Sequence, residues 1–526
     1  MCGTFLRENR EIPLTPVAGG AAGRSGKAIG RTPGMHVDGK SDRSVVPAKQ
    51  PNNADGTVAE AAEGRGLIKG NTDGQNASRT QSRADATNAL ERVRKAAKAD
   101  KKKRFTALLH HVTVDRLREA YLTSKKSAAA GVDHVTWQHY GERLEDNLRE
   151  LHARVHRGAY RAQPTRRVYI PKADGRQRPL GIAALEDKVL QLAVVEVMDA
   201  IYECDFRGFS YGFRPGRGAH DALDALTAGI VRKKVNWVLD ADIRGFFDTI
   251  DHGWLLKFIE HRIADRRVLR LIQKWLRAGV MEGGRRLATT VGSPQGATVS
   301  PLLANICLHY ALDLWVEQWR RRHGQGDIII VRYADDFVLG FEHHLDAQQF
   351  LKELRERLAR FKLELHPEKT RLLRFGRFAS ERCRERGESG APPTFNFLGL
   401  THCCSRSRQG KFLLQRHTMR SRLVAKLREV KLELRRRLHD SVAVQGKWLG
   451  AVLRGHYAYY GVPTNIEALD AFRKEMTRCW LRSLRRRSQR RRLDWTRMAR
   501  LQSRWLPRAR IVHPWPEQRF DVRNPR

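Results

Sequence analysis

A chain of 526 residues has material for roughly two to four domains, and its 99 Lys plus Arg against 57 Asp plus Glu leave a formal net charge of +42. That excess is larger than solubility needs. It points to a polyanionic partner, nucleic acid first, with a membrane surface the weaker alternative because no basic amphipathic helix stands apart. Seven cysteines without a CxxC pair, no run of about 18 apolar residues and no basic-then-apolar leader exclude a zinc ribbon, a secreted disulfide framework and a membrane-spanning helix; a reduced, cytoplasmic protein is expected.

The first 85 residues hold thirteen glycines, and no Phe, Tyr or Trp occurs between Phe5 and Phe105. Such a stretch buries too little apolar area to offset its ordering entropy, so residues 1–86 are expected to be a disordered extension, with Met35 an alternative start. A basic helix is predicted from Thr87 to the KKKR of Lys101–Arg104. Helical periodicity resumes in LREAYLTSKK, a turn falls at Gly131, and RRVYIPKADGRQRPLGI predicts two extended segments around a turn at Asp174-Gly175. Helices and short strands then alternate to about Gly399, which predicts an α+β or α/β core. Beyond Arg416 the pattern is helical. Leu423, Leu427, Val430, Leu434 and Leu438 fall on one helix face, with Arg420, Arg422, Arg428, Arg435 and Arg436 opposite. Trp480, Trp495, Trp505 and Trp515 lie among arginines, where packing is the expected fate of most and base stacking the alternative. His402-Cys403-Cys404 lacks a second ligand pair and is expected to pack in the ordinary way.

Two acidic clusters break this pattern. In DIIIVRYADDFVLGF, Asp335 and Asp336 lie between two apolar β-branched runs, and in WVLDADIRGFFDTIDH a second apolar strand ends in Asp240 and Asp242. Strand ends from two segments of one sheet would gather these carboxylates with no basic residue required. The repulsion among them is offset if divalent cations sit between. Hard oxygen ligands select Mg²⁺, or Mn²⁺, and two such ions form the clamp used for in-line phosphoryl displacement. Asp240 and Asp248, each near a turn, are read instead as caps or Asx-turns.

DADIRGFFD, GSPQGATVSPLLAN and YADD, in that order, resemble the palm motifs of reverse transcriptases. RRVYIPKADGRQRPLGIAALEDKVLQ, GFSYGFRPGRGAHDAL, LHPEKTRL, FNFLGLTH, RGHYAYYGVPTN and RIVHPWPEQRF extend the resemblance to the bacterial group II intron reverse transcriptase/maturases, from about Leu90 onward. The resemblance implies an α+β, right-hand polymerase (fingers and a ferredoxin-like palm), then an all-α thumb/maturase domain and a basic C-terminal helical segment. The implied boundaries are 87–235 for the N-terminal RNA-binding extension and fingers, 236–405 for the palm, 406–480 for the thumb and 481–526 for a DNA-binding segment without an endonuclease domain.

It further implies Asp242, Asp335 and Asp336 as the catalytic metal ligands, assisted by the Ile243 carbonyl, with Tyr333 near the primer end. Phe247 matches a steric gate against the ribose 2′ position, although a core aromatic is the commoner fate of Phe. Gln295 and Gly296 would touch the incoming nucleotide and the template, the glycine allowing backbone to approach a base pair. Lys172 and Arg178 would reach over the triphosphate, and Lys369 would be a general acid for the leaving pyrophosphate. Ala297 stands where the family often has a second glycine. The implied partners are structured intron RNA, a DNA target and primer, and dNTPs, with no membrane and the oligomeric state open. An RNA-binding splicing factor with vestigial polymerase activity, or a domesticated reverse transcriptase in defence or repair, are the alternatives.

Overall fold

The computed structural model describes residues 77–171, 177–293, 296–385, 392–487 and 493–523. The first helix runs Ala77–Ala99 and packs on the long helix Leu185–Asp205. Residues 77–86, expected to be disordered, are therefore helical; no Gly or Pro interrupts the sequence from Ala77 to Ala99. The remainder of the predicted extension lies outside the described residues.

Eleven strands occur among the described residues: β1 Thr165–Pro171, β2 Gln177–Ile182, β3 Trp237–Asp242, β4 Val280–Glu282, β5 Arg285–Leu287, β6 Ile328–Tyr333, β7 Asp336–Phe341, β8 Arg371–Arg374, β9 Phe395–Phe397, β10 Leu400–Arg406 and β11 Phe412–Thr418. They form three sheets, ordered β2-β1-β4-β5, β6-β7-β3-β8 and β11-β10-β9. In the β6-β7-β3-β8 sheet all neighbours are antiparallel. Helices Ser300–Leu308 and Leu314–Arg322 lie between β3 and β6 in the chain, and helix His344–Ala359 lies between β7 and β8.

This sheet is buried on both sides, as its continuous apolar runs require. Leu239, Ala241, Ile330, Phe337 and Leu339 face one hydrophobic cluster, and the alternating Val238, Val331 and Val338 face a second. The first cluster takes in helices 185–205 and 300–322. The second is completed by Leu223 and Leu226 of helix Ala219–Arg232 and by Phe395, Phe397, Leu400 and Leu414 of the β9–β11 sheet. Mixed helix and sheet of this kind is the α+β class.

The helical pattern expected beyond Arg416 begins at Arg420, and β11 falls inside the stretch 406–480 that the resemblance implied to be all-α. Leu414, Arg416 and Thr418 alternate inward along β11, a period of two that the short apolar content of this stretch hid. Helices Arg420–Arg436, Val442–Tyr460, Ile466–Arg485 and Trp495–Trp505 then enclose a third cluster. Val430 and Leu434 are buried, Leu423 and Leu427 pack against them, and the five predicted arginines are exposed. Trp480 is fully buried and its indole donates to Gln445, whereas Trp495 and Trp515 are half exposed. Among the described residues no helix is long and apolar enough to cross a membrane.

His402 does pack as an ordinary core residue. It stacks on Phe395 with ring centroids 4.8 Å apart, and Cys404 Sγ accepts from Gly376 N at 3.2 Å. Burial first, then the Arg416 cation, holds the His402 pKa down at about 3. The unfolded chain takes up this proton near pH 6.5 and the folded chain does not, so stability is lost as pH falls below 6.5. His402→Phe keeps the ring stack and removes the titration. The drop in unfolding free energy between pH 7 and pH 5 should shrink by about 2 kcal/mol, read by denaturant titration at the two pH values; an unchanged drop contradicts this.

Candidate active site

Strand register brings the acids together. Asp336 opens β7 opposite Tyr333 of β6 on one side and opposite Asp242, the last residue of β3, on the other. Ala334 and Asp335 are the two residues of the intervening hairpin turn. Ala334 has φ +57°, the left-handed value that a two-residue hairpin loop needs at its first central position and for which glycine is the usual choice. Such a residue costs about 1–3 kcal/mol and persists only when its surroundings over-determine it.

Asp335 is half-buried, and Asp336 keeps an accessible side chain although protein surrounds it on most sides. Burial raises the Asp335 pKa and neighbouring Asp242 raises it further, with Arg178 and Lys369 opposing. Asp336 is pushed up to about 7 by burial and then by the charges of Asp335 and Asp242. These acids are thus held where ionisation is costly, the condition a cation relieves.

The protein supplies some cationic relief itself, although strand register alone requires no basic residue to gather the acids. Lys369 donates to Asp242 Oδ2, and Arg371 Nη2 donates to Asp240 Oδ2 at 3.1 Å. Lys369 reaches Asp242 because His366 N donates to Asp242 O at 2.7 Å and Arg244 N to Glu364 O at 2.8 Å, which lays segment 364–369 along the end of β3. Asp240 is therefore an ion-paired residue in mid-strand and neither a cap nor an Asx-turn; a strand side chain pointing across to β8 meets arginine there. Asp248 lies in the first turn of the short helix Phe246–Thr249.

Among the described residues no group of three or more His, Cys, Asp or Glu stands ready to hold a metal ion. Mg²⁺ takes one or two carboxylates together with substrate phosphates and seldom an all-protein cage. Asp242, Asp335 and Asp336 fit that donor set, being oxygen ligands with raised or ion-paired carboxyls at one end of the paired strands β7 and β3. The bridge between Ile243 and Leu365 draws its hydrogen bonds from the flanking residues and leaves the Ile243 carbonyl unused by that pairing.

Arg178 is exposed on β2, and its charge reaches Asp335. Phe247 is half-buried, edge-on to Phe246 and to Phe213, whose centroid is 6.5 Å away. Its carbonyl accepts from Ser293 N at 2.7 Å, which ties helix 246–249 to the following glycine-rich turn. Gly296 has φ +103°, and a Cβ there would lie 2.9 Å from Gly181 O of β2. What approaches Gly296 in the protein is thus backbone of the neighbouring sheet. Gly296→Ala should cost about 1–3 kcal/mol and shift β2, carrying Arg178 with it. A lowered melting temperature is the expected result, and a wild-type value contradicts it. Lys172 and Gln295 lie outside the described residues.

Four residues at this site escaped the sequence reading: Phe213, Asn305, Asp313 and Arg332. Arg332 carried a signal, a cation inside the otherwise apolar run IIIVRY, which only a buried partner can explain.

Residues 170–402 match the family model described as reverse transcriptase (RNA-dependent DNA polymerase). Protein YkfC of Escherichia coli K12 is 35% identical over 249 residues, 41% of this chain and 65% of that protein. The group II intron-encoded protein LtrA of Lactococcus lactis is 37% identical over 238 residues, 44% of this chain and 39% of LtrA. An uncharacterized 91 kDa protein in the cob intron of Schizosaccharomyces pombe is 43% identical over 154 residues, 29% of this chain and 19% of that protein. The chain spans less than two thirds of the length of each of these relatives.

Proposed function

We propose, taking residues 170–402 as a member of the reverse transcriptase family, that the chain is an RNA-directed DNA polymerase that also serves as an intron maturase. It binds its host group II intron RNA, promotes splicing and copies the RNA into DNA from a primer at a DNA target. The observation that carries this is the register pairing Asp242 with Asp336, with Asp335 in the adjoining turn. The intron-encoded relative LtrA supports the choice of RNA.

In this reading the β6-β7-β3-β8 sheet, with its β-α-β-β-α-β connectivity, is a ferredoxin-like palm. Sheet β2-β1-β4-β5 belongs to the fingers, and helices 420–485 are the thumb and maturase domain. The exposed arginines at 420, 422, 428, 435 and 436 suit structured RNA, which is held largely through shape and backbone. The C-terminal arginines divide their work. Arg519 pairs with Asp221 at 3.0 Å and Arg232 with Asp521 at 2.7 Å, so the helix Pro516–Arg523 docks on helix 219–232, while Arg497, Arg500, Arg508 and Arg510 are exposed and open to DNA.

Asp242, Asp335 and Asp336 would hold Mg²⁺ (or Mn²⁺). The bound ions would activate the primer 3′-hydroxyl and stabilise the leaving oxygen. Arg178 and Lys172 neutralise the triphosphate. Phe247 excludes a 2′-hydroxyl. Gln295 and Gly296 line the nascent pair. Lys369 Nζ, released from Asp242 when that carboxylate turns to other charge, donates a proton to pyrophosphate.

The test is primer extension on an RNA template with dNTPs and Mg²⁺, run beside intron splicing. Extension dependent on the divalent ion is expected. Splicing assistance by an unmutated chain that extends no primer would overturn the polymerase and leave a splicing factor.

A further inference from the structure

We propose that Arg332, Asp313 and Asn305 are positioning residues that hold the Ala334–Asp335 turn, and that the π-helical turn at His309–Asp313 serves to aim Asp313 at Arg332. This rests on the role assigned above to Asp335.

The observations converge on one strained residue. Arg332 Nη1 donates to the Ala334 carbonyl at 2.9 Å and to Asn305 Oδ1 at 3.0 Å. Its Nε and Nη2 donate to the two oxygens of Asp313 at 2.8 and 2.6 Å, a two-pronged pair whose side chains are both 0% exposed. Asn305, also buried, turns its amide nitrogen to the Gly212 carbonyl at 2.8 Å. The loop carrying Gly212 is stitched to β6 by Arg332 N to Phe209 O at 2.9 Å and Tyr211 N to Arg332 O at 2.8 Å. Gly212 itself lies so close to the turn that a Cβ would collide with Ala334 N and sit 2.9 Å from Tyr333 C. One guanidinium therefore connects the helix pair 300–322, the loop 208–212 and the carbonyl of the left-handed alanine beside Asp335.

Stability alone does not call for this arrangement, since a buried ion pair is often matched by a well-packed apolar pair of similar volume. An apolar pair has no donor for the Ala334 carbonyl. The π-turn gives the second argument. Residues His309–Asp313 interrupt what would otherwise be one α-helix from Ser300 to Arg322. Such a turn re-aims the side chains it contains, and here its last residue is the arginine's partner.

The variant Arg332→Met with Asp313→Leu removes both charges and leaves neither unpaired. In the full chain, Mn²⁺ affinity read by electron paramagnetic resonance should fall 10–100-fold. Primer extension should lose a similar factor in kcat with KM for dNTP unchanged, while the melting temperature stays near that of the parent. Amide hydrogen exchange at 334–336 should speed up tenfold or more. Arg332→Lys keeps a cation for Asp313 but cannot span both Asp313 and the Ala334 carbonyl, and about tenfold weaker Mn²⁺ binding is expected; this single variant decides the matter if the double one does not fold. A folded double variant with parental exchange and Mn²⁺ affinity overturns the proposal. Absence of extension by the parent chain removes the polymerase reading instead, and exchange at the turn still decides the positioning role.

Discussion

On the proposed polymerase reading, Asp335→Ala should abolish RNA-templated primer extension, lowering kcat by about 10³-fold or more while the chain stays folded and RNA-bound. The factor follows from losing a ligand to ions that supply several kcal/mol of transition-state charge stabilisation, at about 1.4 kcal/mol per tenfold. The fold survives because this carboxyl is a liability in the absence of a cation. Burial and Asp242 raise its pKa above that of an unfolded aspartate. The folded chain therefore holds the proton more tightly, and stability is lost as pH rises from the unfolded pKa through the raised one. Alanine removes that loss, so the metal-free variant should melt at or above the parental temperature at neutral pH. Asp240→Ala is the matched control, two residues from Asp242 but facing Arg371, and extension should survive it. A folded Asp335→Ala chain that still extends primers would contradict the assignment, as would equal losses in both variants.

The second large effect falls on sugar choice. Phe247→Ala opens space beside the proposed ribose site, and discrimination against ribonucleotides should drop by roughly 10–200-fold, the range that a shape difference of about 1–3 kcal/mol produces. Phe213 and Phe246 meet the Phe247 ring edge-on and limit its rotation. Tyrosine fits the same half-buried seat, so Phe247→Tyr should leave discrimination intact. The measurement is the ratio of kcat/KM for a dNTP to that for the matching rNTP on one template. A ratio unchanged by alanine, with a lower melting temperature, would make Phe247 an ordinary core aromatic.

Composition and periodicity carried much of the fold. The runs at 328–331 and 337–339 are strands buried on both faces, and the leucine face at 423–434 lines a helical core, because apolar periodicity reports burial directly. Partner choice is less legible. Period two says that residue 242 lies on a strand, but it does not say that Asp336 lies opposite. Long-range ionic partners are invisible for the same reason: nothing in the stretches that carry Lys369, Arg371 and Arg519 names a partner, and only the folded chain turns them to Asp242, Asp240 and Asp221. The strand β11 was missed because its inward residues include Arg416 and Thr418, polar side chains that buried partners satisfy. Arg416 pairs with Asp224 at 3.2 Å, and Thr418 Oγ1 accepts from Asn465 Nδ2 at 2.8 Å.

The most direct test is anomalous scattering from Mn²⁺ in a complex of the full chain with an RNA template, a DNA primer and a non-incorporable dNTP analogue. Anomalous peaks between the carboxylates of Asp242 and Asp335 and the triphosphate are the predicted result. Peaks elsewhere, with those side chains turned away from the nucleotide, would contradict it.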